Sequence, residues 1–360
     1  MEATASLDCA ALSAFVGRHW GSVTEPRIET RALRGGLESP AVLAVEARFR
    51  DQRDRLRRET FVVKLLSGGP AREAGIYERL VTRRAADFAP ALLGIERLDA
   101  GRCLLVLERI RPVRRWPWRD TAAARDLIVG LARLHASAPL DEAAASLPTW
   151  DYEGELQARS ATAVEILEGL PRDGGFAPLR RSLSSLRRVA GQLPEMRRQL
   201  LDLPGLGRAV LHGDVHPGNA MMRRQSARDV PVLLDWGRAR TGSPLEDVAS
   251  WLQSLGFWEP EAQRRHDTLL GAYLEARGLP FRADRELRDA YWIAAASNVL
   301  AGALLIHLWT ARDRPAGSPA REKAVQAARD ALRIIRRADA CWLSAPRAAP
   351  RKSRPDANDR

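Results

Sequence analysis

The first 110 residues contain short apolar segments, several of which alternate apolar and polar positions. Such alternation is typical of strands with one buried face, and short apolar runs are typical of buried strands. Five segments fit these patterns: RIETRAL (27–33), AVLAVEARF (41–49), FVVKLL (61–66), ALLGIERL (91–98) and CLLVLERI (103–110). The charged stretch 50–60 is then predicted to be a hairpin excursion, and residues 99–101 to be the turn of a second hairpin.

Helical spacing of apolar residues predicts helices within and after this region. They are expected at 4–18, at 71–84, at 121–136, as one or two arginine-rich helices within 153–200, and again from Asp247 to about 342. Residues 208–235 have the pattern of a strand, a loop and a strand. The coarse prediction is an α+β fold with a small antiparallel β-rich lobe and a larger, mainly helical lobe.

We expect the lobes to divide at residue 110, so that 1–110 form the N-lobe and 111–342 the C-lobe. Residues 343–360 are rich in Pro, Arg and Ala, with little to bury, and are predicted to be a disordered tail. The apolar segment 292–309 is about long enough to span a membrane. It is interrupted by Ser297, Asn298 and His307 and stands alone, so a buried core helix is the better prediction.

Composition and charge restrict the classes of function. The net charge is +12, but only three of the 57 basic residues are lysines, which is a pattern that a GC-rich coding bias produces without selection for nucleic acid. No helix-turn-helix, zinc or RNP-type signature is visible. The three cysteines lie far apart and form neither a disulfide framework nor a zinc site. The N-terminus also lacks the basic region of a signal peptide. These features predict a cytoplasmic protein without a membrane partner and disfavour a nucleic-acid partner.

Candidate chemistry lies in AVLHGDVHPGNAMMR (209–223) and VLLDWGRARTGSPLEDVA (232–249). Asp214 precedes Asn219 by five residues, and Asp235 ends an apolar run. Phosphoryl transfer needs Mg²⁺ held by hard oxygen ligands, which Asn219 and Asp235 can supply. It also needs a carboxylate that orients the attacking hydroxyl, and Asp214 has a suitable position.

A cation for the donor nucleotide is the other requirement. Lys64 is the only lysine in the first 322 residues and lies inside an apolar strand, which indicates a need for a compact ammonium group. Glu73 on the following helix is the natural ion-pair partner, and Glu78 is the alternative. His212, two residues before Asp214, is predicted to stabilise the loop between Asp214 and Asn219 by donating a hydrogen bond to a backbone group.

These residues resemble the aminoglycoside phosphotransferase and choline kinase-like family, over about residues 25 to 310. The resemblance implies a two-lobed protein-kinase-like fold with Asp214 as catalytic base and Asn219 and Asp235 as Mg²⁺ ligands. It further implies that Lys64, oriented by Glu73, binds the α/β-phosphates. The remaining roles implied are adenine recognition by Glu108 C=O and Ile110 N–H, support of the catalytic loop by Asp247, and a phosphate loop at Gly35 and Gly36.

The match has departures. GGLESP (35–40) is a poorer phosphate cradle than a loop with three glycines, and Gly213 stands where protein kinases carry Arg, which argues against control by activation-loop phosphorylation. We expect an enzyme that transfers the γ-phosphoryl group of ATP or GTP, with Mg²⁺, to a hydroxyl of a small molecule. The alternative is a nucleotide-binding pseudokinase that acts through partner contacts. The net basic region 153–200 favours a neutral or anionic acceptor such as an amino alcohol, a sugar, a homoserine-like compound or a macrolide.

Overall fold

The computed structural model describes most of the chain. The described residues are 9–33, 41–99, 101–111, 116–137, 142, 145, 147–172, 175–225, 228–258, 265–280 and 285–343. The predicted phosphate-loop residues Gly35 and Gly36 lie outside these ranges, and so do residues 344–360 of the predicted tail.

A five-stranded antiparallel sheet occupies the N-terminal part, as predicted, with strand order β1-β2-β3-β5-β4. Its strands are β1 (Arg27–Ala32), β2 (Ala41–Arg50), β3 (Leu56–Ser67), β4 (Leu92–Arg97) and β5 (Arg102–Glu108). Strands β2 and β3 continue into the charged stretch 50–60, so the hairpin turn itself is short. Asp51 stabilises this turn by accepting hydrogen bonds from the backbone N–H groups of Arg53 and Arg55.

One face of the sheet packs against helix α1 (Cys9–Trp20). Phe15 and Val16 of the helix form a core with alternate strand residues, among them Phe61 and Val63. Because side chains alternate between the faces of a strand, Lys64 points to the opposite face. There it is paired in register with Val42 of β2 and Leu105 of β5. The sheet core therefore fixes the direction of the lysine side chain.

The helix predicted at 71–84 is present but irregular. It consists of α2 (Arg72–Ile76), a π-helical turn (Tyr77–Val81) and α3 (Thr82–Arg84). The sequence pattern did not reveal the π-helical turn, since a single wide turn scarcely disturbs the spacing of apolar residues. Glu73 belongs to α2, which begins directly after the turn that ends β3.

The remaining elements are mainly helical. The helices are α4 (Thr121–Ala136), α5 (Tyr152–Gly169), α6 (Ala177–Arg180), α7 (Leu183–Leu201), α8 (Pro244–Trp258), α9 (His266–Ala276), α10 (Arg285–Asn298), α11 (Leu304–Asp313) and α12 (Pro319–Leu343). Helix α4 has the predicted bounds because Asp120 caps it, accepting a hydrogen bond from the Ala123 N–H at 3.0 Å. Short strands β6 (Ala209–Leu211), β7 (Ala220–Gln225), β8 (Arg228–Leu233) and β9 (Arg240–Gly242) form two two-stranded sheets.

The chain divides into two compact units. One comprises residues 1–151 and 199–282, and the other 152–198 and 283–360. The lobe boundary predicted at residue 110 stays a prediction. Within the second unit, the stretch Arg285–Asp313 is long and apolar enough to cross a membrane, and it is the one such stretch in the described part of the chain. Since 56% of its most apolar window is buried inside the protein, it fits the core helix predicted there.

Candidate active site

An ammonium group and two carboxylates meet at the face of the sheet opposite α1. Lys64 Nζ lies 2.5 Å from Glu73 Oε2 and 2.7 Å from Asp235 Oδ1. The Lys64 and Glu73 side chains are buried, whereas that of Asp235 is 36% exposed. Burial alone would lower the pKa of Lys64, but the two carboxylates outweigh it, and the net pKa is raised. The lysine is therefore firmly cationic.

The structure distinguishes between the two acids considered as partners of Lys64. Glu78 lies on the π-helical turn, 45% exposed, and its Oε2 is 3.7 Å from the guanidinium of Arg97. Glu73 Oε1, by contrast, also accepts a hydrogen bond from the Trp236 N–H at 3.1 Å. Glu73 thus connects β3 with the DWG loop, which we define as residues 235–239.

The DWG loop begins with a backbone conformation that non-glycine residues rarely adopt. Asp235 has φ +63° and lies two residues after the end of strand β8. Trp236 is fully buried behind it and donates from its indole N–H to Leu233 O at 3.0 Å. This buried anchor turns the Asp235 carboxylate away from the strand, towards Lys64 and solvent.

The HGD loop, residues 212–219, is held by a buried carboxylate of α8. Asp247 Oδ2 accepts the His212 N–H at 2.7 Å, and Asp247 Oδ1 accepts the Gly213 N–H at 2.9 Å. His135 of α4 approaches the same carboxylate, with its Nε2 3.2 Å from Asp247 Oδ2. The Asp247 carboxylate therefore connects α8 with the start of the HGD loop and with α4.

His212 connects the two loops in a defined protonation state. Burial lowers its pKa, so the ring is neutral at ordinary pH. Its Nδ1 accepts the Asp214 N–H at 3.2 Å, which leaves the proton on Nε2 to be donated to Leu234 O at 2.9 Å. His212 therefore joins the two loops through their backbone groups.

Asp214 and Asn219 are hydrogen-bonded to each other within the HGD loop. Asn219 Nδ2 donates to Asp214 O at 3.0 Å and to Asp214 Oδ2 at 3.1 Å. The Asn219 carbonyl accepts the Leu234 N–H at 2.8 Å, which ties Asn219 to the residue before Asp235. The HGD loop and the DWG loop are thus joined through the backbone at Asn219 and Leu234.

The charges around Asp214 favour its ionised form. Partial burial alone would raise the pKa of Asp214. His216, whose Nε2 lies 3.7 Å from Asp214 Oδ2, opposes this, as does the charge of Arg238, and the net pKa is lowered. Asp214 is consequently an anion at neutral pH.

One tryptophan and two arginines form a cluster beside the DWG loop that the sequence patterns did not predict. The Trp150 ring is approached by the guanidinium of Arg72, 4.1 Å from its centroid, and by that of Arg238, 5.1 Å away. Arg72 also donates to Ala239 O at 2.9 Å. These residues come from three distant parts of the chain, and no spacing motif could have joined them. The cluster adds positive charge on the side of the DWG loop.

The predicted adenine-binding residues lie at the end of β5. Glu108 is the last residue of that strand, and Ile110 is buried two residues later. The Glu108 side chain accepts a hydrogen bond from the Ala91 N–H at 3.0 Å and pairs with Arg223 at 2.9 Å. These contacts tie the end of β5 to the residue before β4 and to β7.

The donor set suits a magnesium ion that is shared with phosphates. No group of three or more His, Cys, Asp or Glu side chains forms a metal site among the described residues. Asp235 and the Asn219 amide oxygen offer two hard oxygen ligands, and Mg²⁺ commonly takes only one or two ligands from protein and the rest from phosphates and water. The residues present therefore fit Mg²⁺ with nucleotide better than a metal bound by protein alone.

The sheet, the helices and this site define a kinase-like phosphotransferase. A family model described as the phosphotransferase enzyme family (APH) matches residues 29–291, and the chain belongs to this family. It is therefore a small-molecule phosphotransferase, as the resemblance of its motifs implied. No curated protein matches the chain at a significant level.

Solved structures show the same fold at low sequence identity. The GDP complex of an aminoglycoside 2′-phosphotransferase mutant is 14% identical, with 94% of this chain and 99% of that chain covered and a TM-score of 0.57. Spectinomycin phosphotransferase with ADP and spectinomycin is 12% identical, with coverages of 92% and 98% and a TM-score of 0.54. A choline/ethanolamine kinase family protein from Mesorhizobium loti is 17% identical, with coverages of 87% and 92% and a TM-score of 0.53.

Proposed function

We propose that this protein transfers the γ-phosphoryl group of ATP or GTP, with Mg²⁺, to a hydroxyl group of a small molecule. The observation that carries the proposal is the position of Lys64 between Glu73 and Asp235. The hydrogen-bonded pair Asp214 and Asn219 is joined to this group through the Asn219 carbonyl, which accepts the N–H of Leu234, the residue before Asp235. Two solved structures of the same fold contain GDP and ADP, which supports a nucleotide as the donor.

On the donor side, Lys64 is the cation for the α/β-phosphates. Its ion pair with Glu73 fixes the ammonium on a rigid strand, which is the preorganisation that binding of a polyanion requires. Asp235 accepts a hydrogen bond from the same ammonium, so the two groups are close enough to act on one triphosphate. The backbone of Glu108 and Ile110 is the proposed contact for the base.

On the acceptor side, Asp214 orients the hydroxyl and accepts its proton. A low pKa makes it a weak base, so its main contribution is to position the oxygen and to take the proton late in the transfer. Asn219 and Asp235 are the proposed ligands of Mg²⁺, which neutralises charge on the transferred phosphate when bound. Asn219 also holds the Asp214 side chain, so one residue aligns base and metal site.

The charge beside Asp214 favours a neutral or anionic acceptor over a polycation. Arg238 acts on Asp214 electrostatically, and Arg72 shares the Trp150 ring with it. A polycationic aminoglycoside would need acidic groups to offset these guanidinium charges. Sugars, amino alcohols in low charge states, macrolides and hydroxy acids fit this side of the site better.

The test is a search for phosphorylated product by mass spectrometry. Purified protein is incubated with ATP or GTP, Mg²⁺ and a panel of sugars, amino alcohols, macrolides, hydroxy acids and aminoglycosides. We expect turnover of at least one neutral or anionic compound. Asp214→Asn should lower kcat by about 10²–10⁴-fold, the usual contribution of a positioned general base. Glu78→Gln, which alters an exposed acid, is the matched control and should retain wild-type turnover.

Two results would contradict the proposal. One is wild-type protein that forms no product and hydrolyses nucleotide no faster than Asp214→Asn. The other is stabilisation by Mg²⁺-nucleotide without turnover of any compound, which would favour the pseudokinase function instead.

A further inference from the structure

We propose that Arg240 and Glu246 are positioning residues for phosphoryl transfer: they form a buried ion pair that fixes the backbone immediately before Asp214. The inference rests on the proposed function, because it concerns the alignment of the proposed base. Neither residue belongs to the HGD or the DWG motif. Both are charged residues inside the protein, with side chains only 6% and 0% exposed.

The fold brings the two residues to the HGD loop from different elements. Arg240 begins β9 and is paired in register with Leu211, the last residue of β6 before the loop. Glu246 lies in the first turn of α8, next to Asp247. Gly242 makes the approach of Glu246 possible, because a Cβ at that position would lie 2.6 Å from Glu246 Oε2.

The contacts of Arg240 join three segments. Its Nη2 lies 3.0 Å from Glu246 Oε2, and its Nη1 donates to Gly213 O at 3.2 Å and to Arg238 O at 3.5 Å. One guanidinium therefore links the HGD loop, the DWG loop and α8. Its planar set of five donors is suited to such a junction, which a lysine ammonium would not reproduce.

Gly213 is held on both sides by consecutive acids of α8. Its N–H donates directly to Asp247, and its C=O accepts from Arg240, which Glu246 holds. The residue has φ +84°, and a Cβ there would lie 2.1 Å from Arg238 O and 2.3 Å from Arg240 Nη1. Only glycine fits this position, and the following residue is Asp214.

Fixing this peptide matters because phosphoryl transfer depends on alignment. A displacement of about 1 Å of a positioned group can cost about 10²-fold in rate. The Glu246 carboxylate is part of the chain, so the charge that orders the loop is permanent. The loop thus needs no added phosphate to be ordered, in contrast to loops that a phosphorylated side chain orders through an arginine.

The test separates alignment from stability with three variants: Arg240→Met, Glu246→Leu and the double variant. Each single variant removes one charge of the buried pair and should lower the melting temperature by roughly 5–10 °C. The double variant removes both charges, and its melting temperature should return to within a few degrees of the wild type. Its kcat should stay at least about tenfold low, with KM for the donor nucleotide changed by less than about threefold, because alignment is still lost.

Arg197→Met is the matched control. Arg197 is 2% exposed and pairs with Glu153 at 2.8 Å in the other unit, so its loss should lower the melting temperature without changing kcat. If kcat returns to the wild-type value together with the melting temperature in the double variant, the pair only stabilises the fold and the inference is wrong. Single variants that keep wild-type kcat would also overturn it.

Hydrogen–deuterium exchange makes the inference testable even if no acceptor is turned over. The peptide that covers residues 207–220 should exchange at least about threefold faster in the double variant than in the wild type, at matched melting temperature. Unchanged exchange of that peptide would overturn the inference. Failure of the product search with faster exchange would instead reject the proposed function and leave the positioning of Gly213 intact.

Discussion

At the scale of single residues, the most informative feature is that the buried cation of the candidate site, residue 64, is a lysine. Nearly every basic residue is arginine, yet Lys64 is lysine, and it lies buried between Glu73 and Asp235. A guanidinium is larger and planar, and it would not fit between two carboxylates that approach one atom to within 2.5 and 2.7 Å. The position therefore needs a compact ammonium group.

Replacement of Lys64 should impair donor binding and transfer together. We expect Lys64→Met to lower kcat/KM by about 10²–10³-fold, the usual loss for one preorganised donor to a charged transition state. Lys64→Arg should be nearly as impaired, since its bulk displaces Asp235. Steady-state kinetics and calorimetric titration with Mg²⁺-nucleotide measure both effects. If Lys64→Met keeps wild-type donor affinity and turnover, Lys64 is not part of the donor site.

At the scale of elements, the N-terminus of α8 organises the HGD loop. Its first turn supplies Glu246 and Asp247 in succession, and both reach the peptide of Gly213, one of them through Arg240. Burial alone would raise the pKa of the Asp247 carboxylate, but the hydrogen bond with His135 and the charge of Arg240 outweigh it, and the net pKa is lowered. A buried anion with such partners couples loop geometry to pH.

The contribution of Asp247 to stability should depend on pH in a defined direction. Its pKa is lower in the folded protein than the ordinary value of 3.8, so the contribution is full above that value and is lost as pH falls through the folded pKa. We expect Asp247→Asn to cost about 1.5–3 kcal/mol of unfolding free energy near neutral pH. The difference from the wild type should shrink below about pH 4.

Urea unfolding of both proteins at several pH values measures this difference. Asp126→Asn, which alters an exposed carboxylate on α4, is the control and should show a small difference at every pH. If the difference in unfolding free energy between wild type and Asp247→Asn stays constant or increases towards acid pH, Asp247 is not a buried anion in the folded state.

Sequence patterns predicted the regular elements better than the contacts between distant segments. Strands with alternating apolar residues and the capped helix α4 were found because their patterns are local. β9 has only three residues, Arg-Thr-Gly, and therefore shows no periodicity. The stacking of Arg72 and Arg238 on Trp150 was likewise invisible, since it depends on tertiary structure alone.

At the scale of the whole molecule, the candidate site belongs to one of the two compact units. All of its described residues fall within 1–151 and 199–282, and Lys64 and Asp235 meet although 171 residues separate them in sequence. The other unit, 152–198 with 283–360, supplies none of the proposed donor-binding groups. Binding of the donor should therefore stabilise the first unit directly.

This difference between the units leads to a prediction for thermal unfolding with Mg²⁺-nucleotide. At a donor concentration about 100 times Kd, linkage gives about 2.7 kcal/mol of stabilisation. For a unit of this size, that corresponds to a rise in melting temperature of roughly 5–10 °C. If the two units unfold in separate calorimetric transitions, only the transition of residues 1–151 and 199–282 should move.

Removal of Mg²⁺ with EDTA should abolish most of the rise, because Asp235 then faces the phosphates without a bridging cation. Asp235→Asn should lose the dependence on Mg²⁺, whereas Glu78→Gln should behave as the wild type. A rise that is equal with and without EDTA, or that persists in full in Asp235→Asn, would show that Asp235 is not a ligand of the metal.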